Sequence, residues 1–529
     1  MENRGRLLST QGNKEPKSTK RDRVTIHQLP TGVSGLDEIL CGGLPEYSFN
    51  IMAGAPGCGK TTLAHQFMFA NATPKNPAIY FTLLGEPAIK MLRYQQQYSF
   101  FDHAVLDGSI RFVNLSDLVL ENDLAAVLDA IVREVEASKA RIVVVDSFRT
   151  VVRKALSGVT EMELQGFVQR LALHLTSWQA TTFLIGEYAE GELRDNPVFT
   201  VADGLFWLYQ SVERNSIVRK MQIMKLRGQE SVPGLHTFRI TEDGIQTFPR
   251  TFGLSGKSHR GKGERRLSTG IAALDAMMSG GIPEGDSLLL AGPSGSGKSV
   301  IGSQFIDEGL KHDEPGIIAM FEELPDEYVA RAAKFGIDFA TPVKEGKLKI
   351  IYLRPLDLSV DETVHAVVGA VKEIGAKRLV IDSLVGFELA LAPGFRADFR
   401  ESLYRMIGAL TRLGVTIIST VEVEENFNSL GLSNFAVSFL SDDILRLRYV
   451  SINGQLRKML LVVKMRRGTH SIDMVEYQIT STGVVIGEAL RGYRGLTSGI
   501  PGPWSFQETA LPPLRVDAED PGEFEGGRE

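Results

Sequence analysis

Short apolar runs alternate with longer segments of helical periodicity along most of the chain. Residues 124–137 and 361–374 have the spacing of amphipathic helices. The apolar runs lie at residues 49–53, 142–145, 182–185, 287–291, 379–381 and 415–418. Strands that are apolar throughout and separated by helices are typical of a parallel sheet covered by helices. The pattern therefore predicts an α/β fold with a mainly parallel sheet.

The chain also repeats itself. The segment Thr-Gly-Val-Ser-Gly-Leu-Asp at 31–37 returns at 269–275 as Thr-Gly-Ile-Ala-Ala-Leu-Asp, an offset of 269 − 31 = 238. Gly-Gly-Leu-Pro at 42–45 returns as Gly-Gly-Ile-Pro at 280–283 with the same offset. A constant offset over long segments indicates tandem duplication of one domain, not a solenoid of short repeats.

The duplication and local composition together suggest domain boundaries. We expect two domains at 24–250 and 267–497, since 529 residues exceed one ordinary domain. Residues 1–23 are polar and basic, 251–266 form a glycine-rich basic linker, and 498–529 are rich in proline, glycine and acidic residues. We expect both tails to be disordered and the linker to be flexible.

Composition narrows the environment and the partners. A net charge of −6 does not favour nucleic acid as a partner, although a local basic channel is compatible with it. No apolar run is long enough to span a bilayer, and residues 1–23 lack the apolar core of a secretion signal. Two cysteines do not make a disulfide framework. We therefore expect a cytoplasmic protein with no membrane attachment.

Two phosphate-binding loops of the form G-x-x-x-x-G-K-[ST] occur at equivalent places in the repeat. In such loops the glycines let backbone N–H groups face phosphate oxygens, and the lysine reaches the β- and γ-phosphates. Each loop follows a predicted strand and precedes a helix, so we predict two ATP sites. The residues expected to contact the nucleotide are Gly54, Ala55, Pro56, Gly57, Cys58, Gly59, Lys60, Thr61 and Thr62, and Gly292, Pro293, Ser294, Gly295, Ser296, Gly297, Lys298, Ser299 and Val300.

Each loop has a predicted partner for a metal ion. Asp146 and Asp382 end apolar strands 86 and 84 residues after the loop lysines (146 − 60; 382 − 298). A carboxylate at the end of such a strand holds the hydration shell of Mg²⁺ in phosphate-loop ATPases. With the hydroxyls of Thr61 and Ser299, they predict Mg²⁺ as a cofactor at both sites.

The two repeats differ between these motifs. The second has Glu322 and Glu323 directly after a strand, where a carboxylate can act as the base for attack on the γ-phosphate. The first has Leu84 and Gly85 in their place, and one carboxylate, Glu86, follows. Either Glu86 acts from a shifted position, or the first site binds ATP and hydrolyses it poorly.

Basic residues recur near the end of each repeat. Lys225 and Arg227 return as Lys464 and Arg466, far along the chain from their own loops. In ring ATPases, cations of this kind neutralise charge on the γ-phosphate of a neighbouring subunit. We therefore expect these four residues to act in trans.

Together these motifs resemble the KaiC family of RecA-like ATPases over about residues 24–497. The opening Thr-Gly-x-x-x-Leu-Asp with Gly-Gly-[Leu/Ile]-Pro carries most of the resemblance, because phosphate loops alone are widespread. It implies two tandem RecA-like domains in an ATP-dependent, two-tiered homohexamer with ATP between subunits. It further implies ATPase activity in the first domain, autokinase, autophosphatase and ATPase activity in the second, and clock or signalling partner proteins.

The resemblance also suggests a phosphoacceptor. Clock proteins of the family carry an adjacent Ser-Thr pair, and here Ser438 takes the place of the serine while Phe439 replaces the threonine. A two-site cycle on this pair is chemically impossible, since a phenyl ring has no hydroxyl. Ser433 and Ser441 are weaker candidates. We expect a divergent relative used in signalling, not an oscillator.

Two other function classes remain open. A DNA-acting RecA-like recombinase or helicase would have the same fold but would need basic loops for DNA. A nucleotide-gated scaffold without catalysis is the other, especially for the first domain.

Overall fold

The computed structural model describes residues 25–83, 88–120, 124–148, 161–193, 198–213, 216–250, 265–353, 359–390, 399–423, 441–496 and 501–503. Glu86, Ser433 and Ser438 lie outside these ranges, as do the predicted tail at 1–23, most of the predicted tail at 498–529 and most of the predicted linker. The chain divides into two compact units, each built around one nine-stranded sheet. Following the sequence repeat, the first unit is taken as residues 25–250 and the second as residues 265–503.

The first unit contains a parallel sheet extended by antiparallel strands. Its strands are β1 (Gln28–Leu29), β2 (Leu44–Pro45), β3 (Phe49–Gly54), β4 (Ala78–Thr82), β5 (Ile110–Asn114), β6 (Ile142–Asp146), β7 (Thr181–Glu187), β8 (Gly204–Glu213), β9 (Ser216–Leu226), β10 (His236–Thr241) and β11 (Gly244–Phe248). Its helices are α1 (Leu36–Ile39), α2 (Lys60–Asn71), α3 (Ala88–Gln95), α4 (His103–Ser109), α5 (Ser116–Leu120), α6 (Leu124–Ser138), α7 (Glu161–Ser177) and α8 (Val198–Val201), with a 3₁₀ turn at Glu190–Leu193.

The strand order of the first sheet is β11-β10-β9-β8-β3-β7-β6-β4-β5. Pairing is parallel from β8 to β5 and antiparallel from β8 to β11. The loop strand β3 is therefore central, and the carboxyl ends of β3, β4, β6 and β7 meet along one edge.

The second unit repeats this topology. Its strands are β12 (Arg266–Leu267), β13 (Ile282–Pro283), β14 (Ser287–Gly292), β15 (Gly316–Met320), β16 (Leu348–Tyr352), β17 (Arg378–Asp382), β18 (Thr416–Glu422), β19 (Asp443–Ile452), β20 (Gln455–Met465), β21 (Val475–Thr480), β22 (Gly483–Ala489), β23 (Tyr493–Arg494) and β24 (Gly502–Pro503). Its helices are α9 (Ala272–Met277), α10 (Lys298–Lys311), α11 (Pro325–Ala333), α12 (Ala340–Lys344), α13 (Val360–Ile374), α14 (Leu384–Ala390) and α15 (Phe399–Arg412).

The order of the second sheet is β16-β15-β17-β18-β14-β19-β20-β21-β22. Read from its other end, this is the order of the first sheet with each strand replaced by its repeat. The predicted α/β fold of two tandem RecA-like domains is confirmed.

Central strands are buried on both faces, which explains their unbroken apolar runs. In β4, Ile79 and Phe81 pack into one apolar cluster while Tyr80 packs into another on the opposite face. Successive side chains of a strand point to opposite faces, so each strand serves two helical layers. Within the described ranges, no helix is long and apolar enough to cross a membrane.

Candidate nucleotide sites

The two phosphate loops have the same backbone design. Each connects the carboxyl end of a central strand to the amino end of a helix, β3 to α2 and β14 to α10. Gly59 and Gly297 cap these helices with φ of 104° and 94°, in the left-handed region that favours glycine. A Cβ at Gly59 would lie 2.9 Å from Cδ1 of Ile240. Backbone conformation and space therefore both favour glycine here.

Both loop lysines fold back on their own loops. Lys60 Nζ donates hydrogen bonds to the carbonyls of Gly54 (3.1 Å) and Ala55 (2.7 Å). Lys298 Nζ does the same with Gly292 (2.9 Å) and Pro293 (2.7 Å). Each ammonium group thus lies inside the turn of its loop, where phosphate would be bound. The site around Lys60 is the first site, and the site around Lys298 is the second site.

Three carboxylates surround the lysine of the second site. Burial lowers the pKa of Lys298, while the charges of Glu422, Asp382 and Glu322 act in the opposite direction. Glu422 ends β18 and pairs in register with Gly292, the last residue before the loop turns. The three acids therefore partly offset the effect of burial on the charge of this lysine.

In the first site, a hydroxyl and a carboxylate form the predicted metal-binding pair. Thr61 Oγ1 donates a hydrogen bond of 2.8 Å to Asp146 Oδ2. Burial raises the pKa of Asp146, and hydrogen bonds from Tyr80 and Thr61 lower it. Hydroxyl and carboxylate oxygens are the hard ligands that Mg²⁺ prefers. The residues present therefore fit the ion.

Asp146 has a second hydroxyl donor that the sequence analysis missed. The hydroxyl of Tyr80, on β4, donates to the same Oδ2 atom at 2.6 Å. His65 stacks on the Tyr80 ring, with centroids 4.7 Å apart and an interplanar angle of 16°. Burial lowers the pKa of His65 to about 3, so the imidazole is neutral.

In the second site, the corresponding carboxylate has a different donor. Asp382 ends β17, and its Oδ1 accepts a 2.6 Å hydrogen bond from Thr420 on the neighbouring strand β18. Ser299 follows Lys298 in the first turn of α10, as Thr61 follows Lys60 in α2. The same oxygen ligand types are thus present, and they also fit Mg²⁺.

A cavity of about 400 Å³ adjoins the first loop. It brings together the predicted residues Lys60, Thr61 and Asp146 at the carboxyl edge of the sheet. Other lining residues were not predicted: Tyr80, Met91, Tyr98, Glu187 and Ile240. The volume lies within the usual range of small-molecule sites.

The structure separates the roles of the two glutamates. Glu322 Oε1 accepts a 2.8 Å hydrogen bond from Ser383, the residue after Asp382. Glu323 instead forms a two-pronged ion pair with Arg331, whose Nε and Nη2 atoms lie 3.2 and 2.9 Å from Glu323 Oε2. The Arg331 guanidinium also lies over the ring of Tyr328 at 4.5 Å. Glu323 is therefore charge-paired, while Glu322 is hydrogen-bonded to the residue that follows Asp382, the predicted metal ligand.

Two strand-end acids complete the list of site residues that the sequence analysis missed. Glu187 ends β7 and pairs in register with Gly54, just as Glu422 pairs with Gly292. The sequence carried a signal for these acids, because a glutamate follows each of the two apolar runs within four residues and ends the strand that the run forms. An acid at that position is predictable once β7 and β18 are known to neighbour the loop strands.

In the first unit, the structure does not bring the predicted trans-acting residues to the loop. Lys225 lies near the end of β9, where it pairs with Leu205 at the start of β8. Leu205 pairs with Ile51 in β3, three residues before Gly54 and toward the opposite edge of the sheet. The separation along the strand is roughly 10 Å at about 3.3 Å per residue. Lys225 donates to the carbonyl of Thr200 at 3.0 Å.

The other basic residues are held in the same way. Arg227 pairs with Asp203 at 3.1 Å, and Arg466 pairs with Asp442 at 3.2 Å. Lys464 donates to the carbonyl of Ser441 at 2.7 Å. The Arg227 and Arg466 side chains are more than half exposed. These cations therefore lie on the surface at the edge opposite the phosphate loop of their own unit.

Comparison with known families identifies the family of the two repeated domains. The family model described as the KaiC ATPase matches the chain twice, over residues 29–251 and 267–491. The chain belongs to the KaiC ATPase family. The predicted resemblance is confirmed, and family membership makes the chain an ATP-using ATPase with two copies of the domain.

Curated relatives cover nearly the whole KaiC-family chain. It is 29% identical over 497 residues to the circadian clock oscillator protein KaiC of Rippkaea orientalis, covering 92% of this chain and 93% of the relative. It is also 29% identical over 492 residues to the circadian clock oscillator protein KaiC 1 of Synechocystis sp., covering 90% and 92%. The circadian clock oscillator protein KaiC of Picosynechococcus sp. is 27% identical over 497 residues, covering 92% of this chain and 95% of the relative.

Proposed function

We propose that this KaiC-family ATPase binds Mg·ATP at both loops, hydrolyses it mainly at the second site, and serves clock-like or signalling regulation in the cytoplasm. The observation that carries the proposal is the split between Glu322 and Glu323. One carboxylate is available next to Asp382 and Lys298, and the other is neutralised by Arg331.

In the proposed reaction, Glu322 is the general base. It accepts a proton from the attacking water as the oxygen forms a bond to the γ-phosphorus and the bond to ADP breaks. Lys298 holds the phosphates, and Ser299 and Asp382 would hold Mg²⁺, which neutralises phosphate charge when bound. Glu323 acts indirectly, since its ion pair with Arg331 joins the segment before α11 to the last turn of that helix.

The same base can serve an autokinase. A serine hydroxyl in place of water would attack the γ-phosphorus, lose its proton to Glu322 and release ADP. Ser438 is the proposed acceptor from the sequence, and it lies outside the described residues. Phe439 restricts such a reaction to one site of the former pair.

We further propose that the chain assembles as an ATP-dependent homohexamer. The support is the position of Lys225, Arg227, Lys464 and Arg466 on the edge opposite their own loops. A cation there is too far from its own γ-phosphate and is placed for a neighbour's. Nucleotide binding and assembly would then be linked. Clock or signalling proteins are the proposed further partners.

For the first site, we propose binding and assembly as the main role. Lys60, Thr61 and Asp146 provide phosphate and metal contacts, whereas Leu84 and Gly85 replace the glutamate pair. Glu86 is the remaining candidate base. A purely scaffolding first domain is the limiting case of this proposal.

A pair of isosteric variants tests the proposal in the full-length protein. Glu322→Gln should lower second-site turnover about 100-fold, as expected for loss of a general base. Total phosphate release should then fall to that of Lys298→Ala, which reports the first site alone. Glu323→Gln is the matched control and should stay within a few-fold of the unaltered protein. A normal rate in Glu322→Gln, or a larger loss in Glu323→Gln, would overturn the assignment.

The kinase claim has its own readout. After incubation with Mg·ATP, mass spectrometry of the same sample should find phosphoserine, and Ser438→Ala should remove it. A sample that releases phosphate without any phosphoserine would refute the autokinase and leave the ATPase intact.

A further inference from the structure

We propose that Tyr80, stacked on His65, is a positioning residue that holds Asp146 for Mg²⁺ binding in the first site. The inference rests on the proposed binding of Mg·ATP at that site. It assigns the first site a device that the second site lacks, built from residues outside the phosphate loop.

The geometry of Tyr80 is specific to this task. Its side chain is fully buried at 0% exposure, yet its hydroxyl reaches Asp146 Oδ2 at 2.6 Å. Thr61 donates to the same oxygen at 2.8 Å. A hydroxyl that ligates Mg²⁺ does so through a lone pair on oxygen, so Thr61 can bind the ion and still donate to Asp146. Tyr80 is the donor to Asp146 that comes from outside the phosphate loop and has no contact of its own to make with the ion.

His65 explains how the ring of Tyr80 is held. It follows Thr61 by four residues on α2, so both side chains lie on the same face of the helix. Its two ring nitrogens are buried and have no hydrogen-bond partner among the described residues. Leaving buried polar groups unpaired is unfavourable. The contacts of the ring are instead aromatic, to Tyr80 and to Phe112.

The second unit replaces both members of this pair. The offset of 238 places Ser303 at the position of His65 and Ile318 at that of Tyr80. Isoleucine has no donor, and Ser303 instead forms a 3.0 Å hydrogen bond with the Tyr328 hydroxyl. Asp382 takes its donor from Thr420 on β18.

The converse holds in the first unit. Thr420 lies two residues before Glu422, and the residue two before Glu187 is Ile185, which cannot donate. Each aspartate therefore has one hydroxyl donor from a neighbouring strand, but from different strands. The two arrangements are alternative solutions to holding the same carboxylate.

The test uses the full chain with Lys298→Ala, so that the first site alone reports. Binding of a fluorescent ATP analogue is titrated with Mg²⁺ and repeated in EDTA. Tyr80→Phe keeps the ring and its stack but removes the hydroxyl. The Mg²⁺ concentration for half-maximal binding should rise about tenfold, the low end for an outer residue of a metal site. Affinity in EDTA and the unfolding midpoint should not change.

Two further variants make the result specific. Tyr209→Phe removes a tyrosine hydrogen bond to Gln222 in the same sheet and should leave the Mg²⁺ requirement unchanged. Adding Ile185→Thr to Tyr80→Phe supplies the donor used by the second unit and should restore much of the Mg²⁺ response.

Three outcomes would overturn the proposal. The first is an unchanged Mg²⁺ requirement in Tyr80→Phe, and the second is an equal loss of affinity in EDTA, which would indicate a merely structural role. If the Lys298→Ala protein binds no nucleotide at all, the proposed function of the first site fails and takes this inference with it.

Discussion

The two sites of this chain have the same loop and different surroundings. In the first site, Asp146 is held by hydroxyls from α2 and β4. In the second, Asp382 is held from β18, and Ser383 holds Glu322 next to it. The loop fixes where phosphate binds, and it is alike in both. We therefore expect the residues at neighbouring strand ends to set the difference in activity between the two sites.

The largest expected effect comes from Arg466, which lies at the edge of the sheet opposite the phosphate loop. Arg466→Ala should lower second-site hydrolysis about a thousandfold, because a cation acting in trans contributes at least that much in related ATPases. Equal mixtures of Arg466→Ala and Lys298→Ala subunits should regain turnover, because an intact loop then meets an intact neighbour. Phosphate release from the mixture is the measurement.

A matched cation on β20, the strand that ends just before Arg466, controls this experiment. Arg457 pairs with Glu476 on β20 and β21, away from the predicted interface residues. Arg457→Ala should hydrolyse ATP normally. Mixtures that gain nothing over the separate variants would argue against action in trans and would place Arg466 in a structural role with Asp442.

The next largest effect should come from variants that bring the hydrolysis rate of the first site closer to that of the second. Leu84→Glu combined with Gly85→Glu gives the first repeat the acid pair of the second. In a Lys298→Ala chain, we expect first-site phosphate release to rise by about 100-fold, the usual contribution of a general base. Leu84→Gln with Gly85→Gln is the neutral control. An equal gain in both would show that charge is irrelevant there.

The smallest expected effect is one of stability. Burial, together with the nearby Asp286 and Asp442, raises the pKa of Asp443 to about 7, although the Arg466 backbone and Arg266 oppose the shift. The unfolded carboxyl loses its proton near pH 4. Between those values the folded state binds more protons, so stability should fall as pH rises and level off above pH 7.

In Asp443→Asn, the fall in the free energy of unfolding between pH 5 and 8 should be smaller by about 2 kcal/mol, measured by thermal unfolding. The half-exposed Asp473 provides the control, since Asp473→Asn should keep the pH dependence of the unaltered protein. A slope that persists in Asp443→Asn would assign the titration to another group. The first unit has Gly204 where its β8 begins, so it lacks this carboxylate.

Sequence reasoning succeeded where local pattern decides the structure. The apolar runs at β3, β6, β7, β14, β17 and β18 were predicted because strands buried on both faces must be apolar throughout. The loop glycines and lysines follow from the geometry that phosphate binding requires. The duplicated α/β fold could therefore be predicted without a structure.

The sequence could not show contacts between residues distant along the chain. Tyr80 appears in it as one more apolar strand residue, and only the fold brings its hydroxyl to Asp146, 66 positions away. Likewise, Glu322 and Glu323 are adjacent and chemically identical. The proposed roles differ because Ser383 contacts Glu322 whereas Arg331 contacts Glu323.

We expect the second site to perform most of the turnover. This is tested by steady-state phosphate release at saturating Mg·ATP from Lys298→Ala compared with the unaltered protein, with assembly checked by size-exclusion chromatography. Assembled Lys298→Ala should retain only a small fraction of the rate. Retention of most of the rate by the assembled variant would contradict it and would make the first site the principal ATPase.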